Sequence, residues 1–322
     1  MLIISENLAQ ELVSAEDAID AVTATFAAMA RGQARNFPVV REGVGYADAV
    51  YGVKAGVDTS VPFLGLKAGG YWPHNLPKGL TNHQSSTLLF DPESGRASAL
   101  VSANYLTGVR TGAASAIATR TLARADASVL GIIGTGGQSV YQLRANAAVR
   151  KLTRVHGWDA VPENAVRFGA ACAALGLDYV AEPDPERVAV AADILVTVTP
   201  SQKAIIRNGW VRPGTHINAM GADTKGKQEL DPYLVAAATV FVDEAAQSVM
   251  IGECQHAHGL GLIAEADMRS IGAVLNGTAM GRTSDGEITL FDGTGVALQD
   301  LVVADLAVRR ALASGRGVVV DY

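Results

Sequence analysis

Hydrophobic positions change their spacing along the chain, and each spacing predicts a different kind of structure. A short apolar run at Leu2–Ile4 predicts a strand. Apolar residues at helical spacing over 19–29 predict a helix that Ser14 caps and Gly32 ends. From 37 to 100, short alternating runs broken by Gly and Pro predict an antiparallel sheet of hairpins. The alanine-rich stretch 107–123 predicts one long helix.

From residue 127 onward, apolar strands alternate with helical segments. Strands are expected near 129–133, 153–157, 178–180, 194–199, 215–220 and 239–243, and a last helix at 298–313. Strands separated by helices form parallel sheets with right-handed crossovers. The sequence therefore predicts an α/β protein in which a Rossmann-type parallel-sheet domain, 119–297, is inserted into an α+β domain, 1–118 plus 298–322.

The first strand of this parallel region runs directly into a glycine turn, Gly134-Thr-Gly-Gly-Gln138. Gly134 permits the tight turn and Gly136 lets the backbone approach a pyrophosphate, while the next helix directs its N–H groups at that anion. Ser139 stands where the third glycine of the pattern would be and is small enough for close helix packing. This stretch predicts a dinucleotide site.

Asp159 ends the second strand of that region. A carboxylate about 20 residues past the glycines is placed to bind the ribose hydroxyls of a dinucleotide. Such a carboxylate would repel a 2′-phosphate, and no arginine directly follows it. We therefore expect NAD(H) to be preferred over NADP(H). The alternative is an ordinary α/β turn with a surface aspartate.

Composition narrows the classes of partner and compartment. The 322 residues are 49% hydrophobic, enough for two domains, and the net charge of −6 without a basic block argues against nucleic acid or an anionic membrane. Cys172 and Cys254 have no CxxC neighbour. The N-terminus lacks a signal-peptide pattern and the apolar runs are too short to span a bilayer, so a soluble cytoplasmic protein is expected.

His256 and His258 share a strand-like spacing but no third ligand is near, so no metal site is expected.

Further motifs cover nearly the whole chain. They are Pro38-Val-Val-Arg41, Gly65-Leu-Lys67, Asn82-His-Gln84, Leu106-Thr-Gly-Val-Arg-Thr-Gly-Ala-Ala-Ser115, Ala192-Asp-Ile-Leu-Val-Thr-Val-Thr199, Asn218-Ala-Met-Gly-Ala-Asp223, Glu229-Leu-Asp231 and Phe291-Asp-Gly-Thr-Gly-Val-Ala-Leu-Gln-Asp300. With the glycine turn, and in the same order, they resemble the ornithine cyclodeaminase and μ-crystallin family. The resemblance implies that the α+β domain binds substrate and pairs its sheet across a homodimer.

The resemblance also implies roles for individual residues. Arg41, Lys67 and Arg110 would hold the substrate carboxylate, with Arg110 also facing the cofactor, and Asp223 would meet the substrate nitrogen. Lys67 and Asp223 are thus the candidate catalytic residues. Each has a plainer alternative, a surface charge for the cations and a helix N-cap for Asp223. The residues implied at the cofactor are Asn82, Arg110, Gly134, Gly136, Gly137, Gln138, Asp159, Thr199, Asn218, Met220, Lys227 and Thr294.

Histidine 83 stays open between two roles, because it could bind substrate and donate a proton or could be a structural histidine. His74, Lys54 and Lys78 are further cationic candidates in the first domain. A second substrate carboxylate could use this charge.

All reactions of the family share a hydride transfer between a nicotinamide and an amino-bearing carbon. Cyclodeaminases resemble one another in carrying a glutamate upstream of the lysine, where this chain reads Gly52-Val-Lys54. We therefore expect reduction of a 2-imino acid to an L-amino acid, with iminosuccinate to L-aspartate as the specific hypothesis. Alanine dehydrogenase, ornithine cyclodeaminase and a non-catalytic ligand-binding crystallin are the alternatives.

Overall fold

The computed structural model describes residues 1–321. The chain forms two compact units. Unit 1 is Met1–Arg110 with the segment from Val296 onward, and unit 2 is Thr111–Gly295. Within the described residues, no helix combines the length and the apolar character that crossing a membrane requires.

The N-terminal elements follow the predicted pattern with one addition, the short helix α1, which the sequence pattern did not predict. The helix at 15–30 begins at the predicted N-cap, Ser14, and Asp17 completes a capping box, since Ser14 Oγ accepts from Asp17 N and the Asp17 carboxylate accepts from Ser14 N. The elements are β1 (Leu2–Ile4), α1 (Glu6–Leu12), α2 (Ala15–Ala30), β2 (Ala34–Asn36), β3 (Val40–Gly43), β4 (Val50–Asp58), β5 (Phe63–Tyr71), β6 (His83–Phe90), β7 (Ala97–Ser102) and α3 (Asn104–Leu122).

The central elements contain all six predicted strands and several that the sequence pattern did not predict, β12, β14, β16 and β17. In order they are β8 (Val129–Ile133), α4 (Ser139–Val149), β9 (Arg154–Trp158), α5 (Pro162–Ala174), β10 (Asp178–Ala181), α6 (Pro185–Ala191), β11 (Ile194–Thr197), β12 (Gln202–Ile206), β13 (His216–Ala219), β14 (Gln228–Leu230), α7 (Pro232–Ala237), β15 (Thr239–Val242), α8 (Ala245–Ile251), α9 (Cys254–Gly259), β16 (Arg269–Ser270), α10 (Ile271–Leu275) and β17 (Thr289–Asp292). The chain then forms α11 (Ala297–Ala313) and β18 (Val318–Val319).

Unit 1 is built on an eight-stranded sheet in the order β18-β1-β7-β6-β5-β4-β2, with β3 also paired to β4. Strands β4 to β7 pair antiparallel, which confirms the predicted hairpins. The inner face packs against α11, where Leu298 contacts Gly56 and Leu301 contacts Gly65. The apolar side chains of the outer face are only half-buried: Val53, Ala55, Val57, Leu64, Leu66, Ala68, Leu88, Phe90 and Leu100.

Unit 2 is built on an eight-stranded parallel sheet in the order β10-β9-β8-β11-β13-β17-β15-β16. This arrangement confirms the predicted Rossmann-type fold. The strand order reverses between β8 and β11, and ligands of open α/β sheets bind outside the carboxyl ends of the strands at such a point. Strand β17 enters the sheet between β13 and β15, although it follows both in sequence.

Candidate active site

The glycine turn of unit 2 lies at the carboxyl end of β8, at the point where the strand order reverses. Gly134 has a φ of +92°, and a β-carbon there would lie 2.7 Å from Thr199 Cγ2 and 2.8 Å from the Val198 carbonyl oxygen. The Gly134 N–H donates to the Trp158 carbonyl at 2.8 Å. Only glycine can adopt this φ and fit into this space, as the sequence predicts.

Gly136 and Gly137 differ from Gly134, because a β-carbon at either would meet no atom within 4 Å. The space next to their backbone, at the amino end of α4, is therefore open. Ser139 is fully buried and its Oγ donates to the Gly136 carbonyl at 2.6 Å, so a small side chain does replace the third glycine. Open backbone at a helix N-terminus fits a pyrophosphate, and the residues present therefore fit a dinucleotide.

Asp159 is fixed beside this turn. Its Oδ2 accepts from Thr135 N at 2.8 Å and Thr135 Oγ1 at 3.3 Å, and its Oδ1 accepts from Val161 N at 2.9 Å and Asn164 Nδ2 at 3.2 Å. The carboxylate is therefore held at the end of β9, next to the glycine turn, rather than extending freely from the surface. Its predicted contact with the ribose stays a prediction.

The other cofactor candidates of unit 2 lie at the carboxyl ends of neighbouring strands. Thr199 N donates to Glu229 Oε1 at 2.6 Å, Met220 is buried against Gly293, and Thr294 Oγ1 donates to Asp243 Oδ1 at 2.7 Å. Gln138 has a buried Oε1 that accepts no hydrogen bond from any described residue. These residues share the edge of the sheet that holds the glycine turn.

Asn218 is the exception among these candidates. Its side chain is fully buried, its Nδ2 donates to Thr119 Oγ1 at 2.9 Å, and its Oδ1 lies 3.2 Å from His216 Nε2. Burial lowers the pKa of His216 to about 3, so this imidazole is neutral and can donate to the amide oxygen. The Asn218 amide thus orders the interior of unit 2, which argues against a direct side-chain contact with a cofactor.

Asp223 and Lys227 form an ion pair of 2.7 Å, and Lys227 Nζ also donates to the Gly221 carbonyl at 3.1 Å. No helix begins after Asp223, because residues 224–227 form a turn that leads into β14. The alternative of a helix N-cap for Asp223 is therefore wrong. Its carboxylate instead has a cationic partner whose own position is set by the backbone.

Two buried carboxylates hold these loops together: Glu229, which the sequence analysis quoted only as part of a motif, and Glu253, which it did not single out. Glu229 is fully buried and accepts from Thr197 Oγ1, Thr199 N and Gly221 N, which links the ends of β11 and β13. Glu253 in turn accepts from Glu229 N and Leu230 N. Burial raises the pKa of both carboxyl groups. Both stand among polar residues, in Lys-Gln-Glu-Leu-Asp and Gly-Glu-Cys-Gln-His, so the sequence carries no sign of their burial.

Unit 1 contains a buried cluster of charges, which we call the cation cluster: Lys54, Lys67, Arg110 and Asp300. All four are 7% exposed or less. Asp300 Oδ1 accepts from Lys67 Nζ at 2.9 Å and from Arg110 Nε at 2.8 Å, and Arg110 Nη1 donates to Gln299 Oε1 at 2.9 Å. The surface-charge alternative for Lys67 and Arg110 is therefore wrong.

The environment of Lys67 makes its ammonium unusually acidic. Burial lowers its pKa to about 7, Arg110 and Lys54 act in the same direction, and Asp300 opposes them. Burial raises the pKa of Asp300, but the fields of Arg110, Lys67 and Lys54 outweigh it and the pKa lies below its usual value. Lys67 can therefore exchange a proton near neutral pH, as a general acid or base requires.

Buried polar atoms without partners surround the cluster. In the described part of the chain, no hydrogen bond reaches Asp300 Oδ2, Gln299 Nε2 or Thr87 Oγ1. Leaving such an atom unsatisfied costs about 1–3 kcal/mol. In native proteins such an atom is explained by ordered water, an ion, strain or a catalytic role.

Arg41 and His83 share the inner sheet face with Lys67. Across neighbouring strands, Arg41 lies opposite Gly52, Gly52 opposite Gly69, and Gly69 opposite Ser85. This row of cross-strand partners lies next to the row that contains Lys67. His83 is two residues before Ser85 and has the same facing. Asn82 lies just before β6, where its Nδ2 donates to the Tyr71 hydroxyl at 3.2 Å.

Four histidine and lysine candidates lie elsewhere. His74 is exposed and pairs with Asp48, and Lys78 is exposed in the loop between β5 and β6. His256 and His258 lie on helix α9, so the strand-like interpretation of their spacing is wrong. Side chains two apart on a helix point in different directions.

The model of the ornithine cyclodeaminase/mu-crystallin family matches residues 1–315. The chain belongs to this family. The resemblance expected from the motifs is thereby confirmed. The chain is 51% identical to the iminosuccinate reductase of Paracoccus denitrificans over 315 residues, which is 98% of each chain.

Solved structures of the family are similar over their full length. The crystal structure of that reductase with NAD+ has a TM-score of 0.94 at 50% identity and covers 100% of this chain and 99% of its own. An archaeal alanine dehydrogenase dimer with bound NAD has a TM-score of 0.94 at 36% identity, over 100% and 99% of the two chains. The Thermococcus litoralis Δ1-pyrroline-2-carboxylate reductase with NADH and L-proline has a TM-score of 0.95 at 30% identity, over 99% and 100%.

Proposed function

We propose that this protein is an NADH-dependent reductase that converts a 2-imino acid into an L-amino acid, with iminosuccinate as substrate and L-aspartate as product. The balanced reaction is imino acid plus NADH plus a proton, giving amino acid plus NAD+. The observation that carries the proposal is the cation cluster, in which Lys67 and Arg110 are buried together on one carboxylate. The identity of 51% with an iminosuccinate reductase supports it.

The chain's own residues divide the work as follows. Lys67 and Arg110, joined by Arg41, hold the substrate carboxylate, and Asp300 fixes the directions of the first two. Asp223 stabilises the protonated imino nitrogen, in the role that the family resemblance implies. A bound reduced nicotinamide supplies the hydride that reaches the imino carbon. Lys67, with a pKa of about 7, holds a proton that can be released near neutral pH.

A cyclodeaminase or a non-catalytic binder is less well supported. Cyclodeaminases carry a glutamate upstream of the lysine, and this chain has Gly52-Val-Lys54 there, so a side-chain ammonium would lack that acidic partner. A protein that only binds a ligand would not need a lysine that can exchange a proton near neutral pH, as Lys67 can.

A substrate panel tests the proposal. Purified protein and NADH are mixed with ammonia and either oxaloacetate, which forms iminosuccinate, or pyruvate, and NADH absorbance is followed. We expect the highest kcat/KM with oxaloacetate. A higher value with pyruvate would indicate an alanine dehydrogenase. Consumption of L-ornithine without net change in NADH would indicate a cyclodeaminase, and no turnover with any substrate would leave the binder.

Preference for NAD(H) over NADP(H) follows from Asp159, and its charge can be tested alone. Asp159→Asn keeps an oxygen for the Thr135 N–H but removes the negative charge. We expect NADH to bind about 10-fold more weakly and the discrimination against NADPH to fall. Fluorescence titration with both nucleotides measures this. Asp178→Asn, an exposed aspartate on neighbouring β10, is the control, and unchanged NADH affinity in Asp159→Asn would remove Asp159 from the ribose site.

We also propose a homodimer that pairs the outer faces of the unit 1 sheets. This face presents half-buried apolar side chains, and contiguous apolar surface of this kind marks an interface. Leu66→Arg, at the centre of the face, is expected to shift the mass in solution from dimer to monomer, measured by light scattering. Val166→Arg, which changes an exposed residue of α5, should leave the mass unchanged. A Leu66→Arg protein that stays dimeric would exclude this face.

A further inference from the structure

Gln299 is the third residue of α11 and directly precedes Asp300, the carboxylate of the cation cluster. Its side chain is fully buried, with an exposed fraction of 0%. Its Oε1 accepts from Arg110 Nη1 at 2.9 Å, while Arg110 Nε donates to Asp300 Oδ1 at 2.8 Å. Two acceptors on one turn of α11 therefore hold two different nitrogens of the Arg110 guanidinium.

The contact with Arg110 determines which way round the Gln299 amide lies. A guanidinium carries donors only, so it must meet the amide oxygen, and a flipped amide would place two donors against each other. The position of the Nε2 donor is therefore set by Arg110. This atom is buried, and no residue in the described part of the chain accepts a hydrogen bond from it. Such a donor carries the full cost of its desolvation until an acceptor reaches it.

The surroundings of Nε2 indicate the chemistry of that acceptor. Arg110 contacts the other end of the same amide, and Lys67 Nζ lies 2.9 Å from the Asp300 oxygen that Arg110 also contacts. Gln299 lies in the first turn of a helix of 17 residues, where the backbone adds partial positive charge. Asp300 Oδ2 does not take the bond, although it is buried in the next residue. These surroundings favour an anionic oxygen, and a carboxylate has lone pairs for both Arg110 and Nε2.

We propose that Gln299 is a substrate-binding residue, whose Nε2 donates to the carboxylate that Lys67 and Arg110 hold while its Oε1 keeps Arg110 in place. This inference rests on the proposed reductase function and adds a contact to its substrate site. The amide thus serves the anion twice, once through the direction it gives to Arg110 and once through its own donor.

Gln299→Glu tests the donor alone, because it keeps an oxygen for Arg110 and replaces the Nε2 donor by a second acceptor. Succinate, a carboxylate that cannot be reduced here, is titrated calorimetrically into protein saturated with NAD+. We expect its Kd to rise about 10-fold in Gln299→Met, which loses a charged hydrogen bond, and about 100-fold in Gln299→Glu, which adds repulsion. Gln10→Glu makes the same change at an exposed position of unit 1 and should leave the Kd unchanged.

The same titrations separate a direct contact from the other roles of a buried amide. If Gln299 only positions Arg110, Gln299→Glu binds succinate as the wild type does and Gln299→Met binds it weakly. If only water meets Nε2, both variants bind succinate as the wild type does. A loss of NADH affinity with succinate affinity unchanged would assign Nε2 to the nucleotide. Each of these three results overturns the inference.

Melting temperatures near the wild-type value show that the variants keep the fold. If Gln299→Glu does not fold, Gln299→Met decides. Unchanged succinate affinity in that variant overturns the inference, and weaker succinate binding with unchanged NADH affinity supports it.

Turnover distinguishes this inference from the proposed reaction. With oxaloacetate, ammonia and NADH, Gln299→Glu is expected to raise KM about 100-fold and to change kcat much less, because the carboxylate is bound alike before and during hydride transfer. Succinate binding that Gln299→Glu loses supports the inference even if the wild type turns over no substrate, and the reductase function would then be wrong. Turnover by the wild type with equal succinate affinity in all variants overturns the inference and leaves the reductase.

Discussion

Replacement of Lys67 by alanine is expected to lower kcat/KM for the imino acid by about 1,000-fold, the range for loss of a positioned acid or base. The same change removes one of the cations that we propose hold the substrate carboxylate, and it also removes the partner of Asp300. NADH affinity should stay measurable, because the glycine turn and Asp159 belong to unit 2 and Lys67 belongs to unit 1. Stopped-flow turnover and NADH fluorescence titration measure the two quantities separately.

Lys151→Ala is the control for this prediction, because it removes an exposed lysine from unit 2. A fully active Lys67→Ala protein would exclude Lys67 from the site. The pH dependence gives a second readout. With a pKa of about 7, Lys67 is cationic below that pH and neutral above it, so succinate should inhibit the wild type less as the pH rises through neutrality. Lys67→Arg stays charged and should lose this dependence.

Asp300→Asn is expected to lower the free energy of unfolding by about 3–5 kcal/mol, because it leaves buried cations without their counter-ion. Turnover should fall as well, since Asp300 fixes both Lys67 and Arg110. Asp305→Asn on the same helix is the matched control. Asp305 pairs with Arg309, which is more exposed than Lys67 and Arg110. Loss of such a surface pair costs about 0–1 kcal/mol.

Urea denaturation of both variants measures the difference. Equal, small losses in Asp300→Asn and Asp305→Asn would mean that Lys67 and Arg110 do not need Asp300. In that case another group would have to neutralise the cluster.

Features set by neighbours in sequence could be predicted. The capping box at Ser14 and the turn at Gly134 depend on residues only a few positions away. Lys67 could be recognised because a lysine within an apolar strand has few solvated positions to occupy. The Rossmann-type fold could be predicted because its characteristic strand, glycine turn and helix are consecutive in the sequence.

Features set by distant residues could not be predicted. Asp300 is the partner of Lys67, yet 233 residues separate them. The one hint in the sequence was Asp300 itself, an acidic residue in the first turn of α11. Leu298 and Leu301, on either side of it, are buried. Strand β17 is short and pairs out of sequence order, so no periodicity reveals its place between β13 and β15. The pairing of Lys54 with Lys67 likewise depends on the register of β4 and β5.

The interruption of unit 1 by unit 2 in sequence has a consequence for synthesis on the ribosome. Helix α11 supplies Asp300 and much of the inner packing of the first sheet, and it emerges only after all of unit 2 has been made. Closing so long a loop carries an entropic cost that must be met before its contacts form. Nascent chains stalled before Ala297 should therefore show a protease-resistant unit 2 and a protease-sensitive unit 1; early resistance of both would contradict this order.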